Sequence, residues 1–258
     1  CSALGRRADV EGAARVGVRL PTKTFSGEAR FEIGGVEFQL QEAPGETHDQ
    51  LFVWIPRYET LLAGDNYYAA FPNLYTIRGT SPRPIDGWIA SLDHMRRLNP
   101  EHLVPSHTPP LSGKDEITRA LTDYRDGIQW VRDRTIHGAN RGEPIDQVAA
   151  DAALPAHLAS VKSLAELYGQ VDWSARAIYG NNLGWFDGQP EALYPLPPAD
   201  RARRTVQLMG GLARVTDEAK RTMADPAGGV RWAIELLQTA RASGLASPVE
   251  AARLDRDL

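Results

Sequence analysis

The spacing of apolar residues changes near residue 113, and this change constrains the fold more than any other feature of the chain. Up to that point short stretches alternate apolar and polar residues, the two-residue period of a half-buried strand. RFEI (30–33) and VEFQLQ (36–41) flank Gly34-Gly35 and predict a β-hairpin. LFVWIP (51–56), ETLLAGD (59–65) and HLVPSH (102–107) predict three more strands. Between them Ile85, Trp88, Ile89, Leu92 and Met95 recur at helical spacing, so 84–99 reads as one amphipathic helix. Beyond residue 113 the pattern is helical almost throughout. KDEITRALTDYRDGIQWVRDRTIHGANRG (114–142) is one long helix closed by a glycine. EPIDQVAADAAL, SVKSLAELYG, DWSARAIYGNNLGWFDG, ADRARRTVQLMGG, DEAKRTMAD and VRWAIELLQTARASG follow as further helices, punctuated by glycine and proline. The expected organisation is an α/β segment over 1–113 followed by an all-α segment over 114–258, repeat-like in its helix pairs but without a fixed period.

Composition narrows the function classes. A net charge of −4 argues against a nucleic-acid binder held by general electrostatics. No apolar run approaches the ~20 residues that cross a bilayer as a helix. Cys1 is the single cysteine, so neither an internal disulfide nor a cysteine metal cluster can form. The opening Cys1-Ser2-Ala3 lacks a methionine, a basic n-region and an apolar h-region, as expected of a processed or incomplete chain; a mature lipoprotein also begins with cysteine. Residues 1–24 read as loop or extended segment, and RLDRDL at the other end carries no helix-stop signal, as if the array continued.

The candidate chemistry sits where strands end. Glu46 follows the Pro44-Gly45 turn in QEAPGETHDQLFVWIP, Asp65 closes the strand TLLAGD, and His107 closes HLVPSH. Two carboxylates and an imidazole on strand ends suit one or two divalent ions, because the sheet holds the backbone while the side chains converge. An ion so held lowers the pKa of a bound water towards ~7. On residue types alone the same three also suit other work: Glu46 and Asp65 as turn or cap residues, His107 as a structural hydrogen-bond donor. His48 and Asp49 follow Glu46 directly and read either as residues that orient a ligand or as solvent-facing turn residues. His94 and His102 read as structural or exposed.

APGETHDQLFVWIP, LLAGDN and VPSHTPP together resemble the second half of the metallo-β-lactamase superfamily. The resemblance implies that Asp65 is the metal-bridging aspartate and His107 the last histidine ligand, with Glu46 where most of the superfamily carries histidine. That exchange, with NLYTIRG (73–79) and the helical tail, is similar to the alkyl sulfatase branch. The tail DWSARAIYGNNLGWFDGQPEALYPLPPADRARRTVQLMGG (172–211), then VRWAIELLQTA (230–240), is similar to the alkyl sulfatase dimerisation domain. Trp173, Tyr179, Trp185 and Phe186 are read there as packing and dimer-contact aromatics. The implied architecture is a partial metallo-β-lactamase-like αββα layer followed by an α-helical dimerisation domain. The implied activity is zinc-dependent hydrolysis of sulfate esters, with two Zn2+ per complete site, Asn73 and Arg78 holding the sulfate group, and a homodimer formed through the helices. A periplasmic or secreted bacterial location would suit the family.

This sequence departs from the family in three places. The first metal motif, His-x-His-x-Asp-His, belongs upstream of residue 28, and none of the six histidines has that spacing. Detergent-cleaving members carry glutamate where Asp65 stands, and Pro72 replaces a histidine that faces the sulfate. Two other readings stay open: hydrolysis of a phosphoester, lactone or thioester on the same fold, and a non-catalytic dimerising scaffold.

Overall fold

The structure, a computed structural model, describes residues 20–77 and 79–257. Most of the 1–24 segment and Arg78 therefore lie outside the described residues. Six strands form one mixed sheet in chain order: β1 (Glu28–Ile33), β2 (Val36–Glu42), β3 (Leu51–Ile55), β4 (Thr60–Gly64), β5 (His102–Pro105) and β6 (Leu111–Ser112). The expected hairpin is β1–β2, with Phe31 opposite Phe38 across the Gly34-Gly35 turn. Pairing is antiparallel throughout except between β4 and β5, which run parallel. A parallel pair needs a crossover, and α1 (Ile85–Arg97) supplies it. β6 was not expected; two residues are too short to show a period.

Burial follows the spacing of the sequence. Leu61 and Ala63 alternate into the core from β4, Phe52 enters from β3 and Leu103 from β5. α1 lays Trp88, Leu92 and Met95 against them. The long helix α2 (Lys114–Asn140) adds Ile117, Leu121, Tyr124, Ile128 and Val131, spaced four and three apart on one stripe. Asp115 and Glu116 in its first turn meet the positive end of the helix dipole.

Two compact units emerge, Cys1–Asp187 and Gly188–Leu258. The first passes well beyond the change of period at 113. α3 (Ile145–Asp151) and its cap, α4 (Ala156–Ala159), the short turn at Lys162–Leu164 and α5 (Val171–Leu183) contribute Ala149, Ala152, Leu158, Leu164, Val171, Ala175 and Ile178 to the same core as the sheet. The period marks where strands give way to helices, whereas the unit ends where burial ends. Tyr179 packs there and donates to the Glu143 carbonyl at 3.2 Å, while Trp185 is 75% exposed and meets Phe186 edge-on.

One helix expected from the sequence is corrected. SVKSLAELYG forms only a 3-10 turn at Lys162–Leu164, and Ala165–Gly169 then runs alongside the loop at Phe71–Asn73. Phe71 N–H donates to the Ala165 carbonyl at 2.8 Å and Gly169 N–H to the Phe71 carbonyl at 3.1 Å. The backbone finds its partners across the chain instead of within a helix. A Cβ at Gly169 would stand 2.0 Å from the Pro72 carbonyl oxygen, so only glycine permits this approach.

The second unit, described over 188–257, is helical. It comprises α6 (Pro190–Leu193), α7 (Pro198–Leu208), α8 (Leu212–Thr222), α9 (Gly229–Ala242) and α10 (Pro248–Asp257). Pro197, extended at φ −49 and ψ 136, delivers the chain to Pro198 at the first position of α7. Val206, Val215, Ala219, Leu236, Leu237 and Leu254 form its separate core. Among the described residues no helix is long and apolar enough to cross a membrane.

Candidate active site

Strand direction brings the three strand-end candidates to one edge of the sheet. β2 and β4 are both antiparallel to β3, and β5 is parallel to β4, so β2, β4 and β5 all point the same way. Their carboxyl ends lead into Glu46, Asp65 and His107. Ligand sites gather at such ends, where the backbone leaves the ladder and side chains converge. A register shift between Leu62 and Gly64, with Gly64 at φ +59, turns β4 just before Asp65.

Glu46, Asp65 and His107 line one cavity of about 350 Å3, together with Tyr68, Ala70, Thr108 and Tyr168. Asp65 Oδ1 and His107 Nε2 lie 3.3 Å apart. Glu46 does not join that pair. Its Oε1 meets Arg83 Nη2 at 2.5 Å, and its Oε2 accepts from the Tyr68 hydroxyl at 3.3 Å. Burial pushes the Glu46 carboxyl above the usual carboxylate range, and the Arg83 guanidinium pulls part of the way back. Burial drives the Tyr68 phenol far upward, so it stays protonated and donates at neutral pH.

The turn that presents Glu46 is held by Asn66, a fully buried side chain. Its Oδ1 accepts from the Glu46 N–H at 3.1 Å and its Nδ2 donates to the Ala43 carbonyl at 2.7 Å. Its own carbonyl accepts from Trp88 Nε1 at 2.9 Å, and Ser91 Oγ on the same helix donates to the Pro44 carbonyl at 2.9 Å. Helix α1 thereby grips the turn from below.

Asn73 is buried beside this assembly. Its N–H donates to the Tyr68 hydroxyl at 2.8 Å, and its carbonyl accepts from Arg83 Nη1. Arg78, the other expected sulfate contact, lies outside the described residues. His48 Nε2 bonds the Pro82 carbonyl at 2.8 Å, next to Arg83, and Asp49 accepts from Thr47 Oγ1 at 2.7 Å on the exposed face of the turn. His102 pairs with Ser112 across β5 and β6, and His94 stands edge-on to Phe52.

Sequence reasoning missed Asn66, Tyr68 and Arg83. Asn66 sits in the quoted LLAGDN, next to Asp65, and an uncharged amide beside a carboxylate carries no ligand signal of its own. Arg83 lies between two prolines in SPRP, which reads as a connector. Its two partners are 37 and 10 residues away in a sequence that shows neither contact.

Asp65 and His107 offer the oxygen and nitrogen donors that a zinc-class ion takes. The buried Thr108 hydroxyl in the same cavity finds no hydrogen-bond partner. A catalytic zinc site takes three protein ligands, and among the described residues no group of three His, Cys, Asp or Glu is placed to hold a metal. The donors fit such an ion as a partial set.

The metallo-beta-lactamase superfamily matches residues 3–107 and the alkyl sulfatase dimerisation family residues 144–254. A linear primary-alkylsulfatase of a Pseudomonas species is 36% identical over 84% of this chain, which spans 41% of that protein. An (R)-specific secondary-alkylsulfatase, also from Pseudomonas, is 30% identical over 80% of the chain, which spans 32% of it. The solved structure of a stereoselective inverting sec-alkylsulfatase from Pseudomonas superposes with a TM-score of 0.80 at 28% identity, covering 91% of this chain and 37% of that one. The chain thus spans less than half the length of these relatives. With two family matches side by side along it and alkylsulfatase relatives over about four fifths of its length, the chain belongs to the alkyl sulfatase branch of the metallo-β-lactamase superfamily.

Proposed function

We propose that the protein carrying this chain hydrolyses sulfate esters of alkyl chains with the help of bound zinc. The observation that carries the reading is the cavity lined by Glu46, Asp65 and His107 together with Tyr68, Ala70 and Tyr168. A lining that combines ionisable groups with aromatic and aliphatic surface suits a substrate with an anionic head and an alkyl tail. The similarity to alkylsulfatases over more than four fifths of the chain supports the same substrate class.

In this reading Asp65 and His107 hold the metal, with Glu46 as a further donor, and a complete site takes two ions. When bound, the metal supplies Lewis acidity, which makes water a stronger nucleophile at neutral pH. Asn73 and Arg78 address the sulfate oxygens, where an amide and a guanidinium fork match a tetrahedral anion. Tyr68 stays protonated and orients the Glu46 carboxylate by donating to it. Tyr168 stacks edge-on against Tyr68 at 5.7 Å and adds aromatic surface to the lining. The helical region matched by the dimerisation family joins two copies into a homodimer.

Sulfate release from dodecyl sulfate tests the activity. Asp65→Asn and His107→Ala should each lower kcat by at least ~100-fold and weaken zinc retention, since each removes a metal ligand or its charge. Hydrolysis of a phosphate monoester in preference to the sulfate would displace the sulfatase reading.

A further inference from the structure

Arg83 is nearly buried, with 6% of its side chain exposed, yet it takes no part in lining the cavity. It approaches Glu46 from behind. One arm of its guanidinium, Nη2, holds Glu46 Oε1 at 2.5 Å, and the other, Nη1, donates to the Asn73 carbonyl. The plane is braced in two ways. The Trp88 ring lies 6.0 Å from the guanidinium carbon, and Pro82 and Pro84 stiffen the backbone on either side. Trp88 in turn donates to the Asn66 backbone carbonyl, and the Asn66 side chain accepts from the Glu46 N–H, so Arg83, Trp88, Asn66 and Glu46 are linked around the base of the site.

We propose that Arg83 is a positioning residue that fixes the Glu46 carboxylate and the Asn73 loop to each other, and so holds the proposed metal donor in register with the proposed sulfate contact. The inference rests on the sulfate ester hydrolase reading above. Its basis is the fork itself: a guanidinium presents positively charged donors on separate nitrogens of one plane, here Nη2 for a carboxylate and Nη1 for a carbonyl. A lysine ammonium can keep the ion pair but cannot reach both partners with fixed geometry. The two arms thus make separable predictions, one read in metal affinity and the other in substrate affinity.

The test uses the full-length protein and measures the zinc dissociation constant by chelator competition, and KM and kcat with dodecyl sulfate. Arg83→Gln should weaken zinc binding by about tenfold or more, the loss seen when a hydrogen-bond partner of a metal ligand is removed, and should also raise KM. Arg83→Lys should recover most of the zinc affinity while KM stays raised. Tighter zinc binding in Arg83→Gln would make Arg83 a competitor for Glu46 and overturn the inference, as would a lysine variant with wild-type KM. Unchanged zinc affinity in a folded Arg83→Gln protein overturns it too. If Arg83→Gln does not fold, the lysine variant alone decides, because it separates zinc affinity from KM. A wild-type protein that neither binds zinc nor releases sulfate defeats the hydrolase reading and this inference together. One that does both, with Arg83 variants unaltered, defeats the inference alone.

Discussion

At the scale of single residues, the buried polar groups that frame the Glu46 turn each answer to a specific partner, and the partners are distant in sequence. Asn66 satisfies the Glu46 N–H and the Ala43 carbonyl, and Arg83 satisfies Glu46 and Asn73. Removing one partner of a buried pair leaves the other desolvated and unpaid, which is why such sites tolerate few substitutions. His94 shows the opposite situation. Its ring packs against Phe52 without a partner that would stabilise a charge, and burial, with Arg97 nearby, holds its pKa below the usual imidazole value of 6.5. The unfolded chain then binds a proton more readily than the folded one, so stability is retained above pH ~6.5 and is lost as pH falls through the depressed folded value. His94→Gln should lower the melting temperature at pH 8 through the lost ring contact, yet flatten its decline as the pH falls below ~6.5. Calorimetry across that range checks it; parallel profiles for the two proteins would assign the acid loss to other groups. That Glu46, Asp65 and His107 would come together was legible from strand-end position taken with the family resemblance. Asn66 and Arg83 were not, because a residue's value as a buried partner depends on a fold that brings 20 to 40 intervening residues back on themselves.

At the scale of elements, alternation and helical spacing identify almost every strand and helix that contributes to the core, including the α1 crossover and the long α2. The failure at SVKSLAELYG is informative. Its composition suits a helix, but the segment lies against the Phe71–Asn73 loop, and two backbone bonds there outweigh local preference. Gly169 makes that possible. Gly169→Ala should place a methyl 2.0 Å from the Pro72 carbonyl oxygen and force the two backbones apart. The expected cost is about 1–3 kcal/mol by urea unfolding, the range for overpacked sites. Faster hydrogen exchange at the Asn73 amide, whose bond to Tyr68 depends on the same loop, should accompany it. A neutral effect on both would show that the close approach is relaxed in solution.

At the scale of the whole molecule, the family matches and the compact units divide the chain at different points. The two family segments meet between residues 107 and 144, whereas the first compact unit continues to Asp187. Residues beyond 144 supply Ala149, Leu158, Leu164, Val171 and Ile178 to the core shared with the sheet. Ending the protein after Glu143 should strip that face, abolish cooperative unfolding and leave an aggregating product. Ending it after Asp187 should preserve the first unit's transition. Differential scanning calorimetry of the two truncations separates the outcomes, and a well-folded product ending at Glu143 would contradict the shared core.

The backbone pairing of Ala165–Gly169 with Phe71–Asn73 also governs how members of this branch can be recombined. A chimera joined between the family segments would take the Asn73 loop from one parent and its supporting strand of backbone from another. Any residue larger than glycine arriving at 169 would meet Pro72. The Asn73 loop and the Ala165–Gly169 segment that supports it are therefore inherited as one cassette, and the workable crossover lies after Asp187.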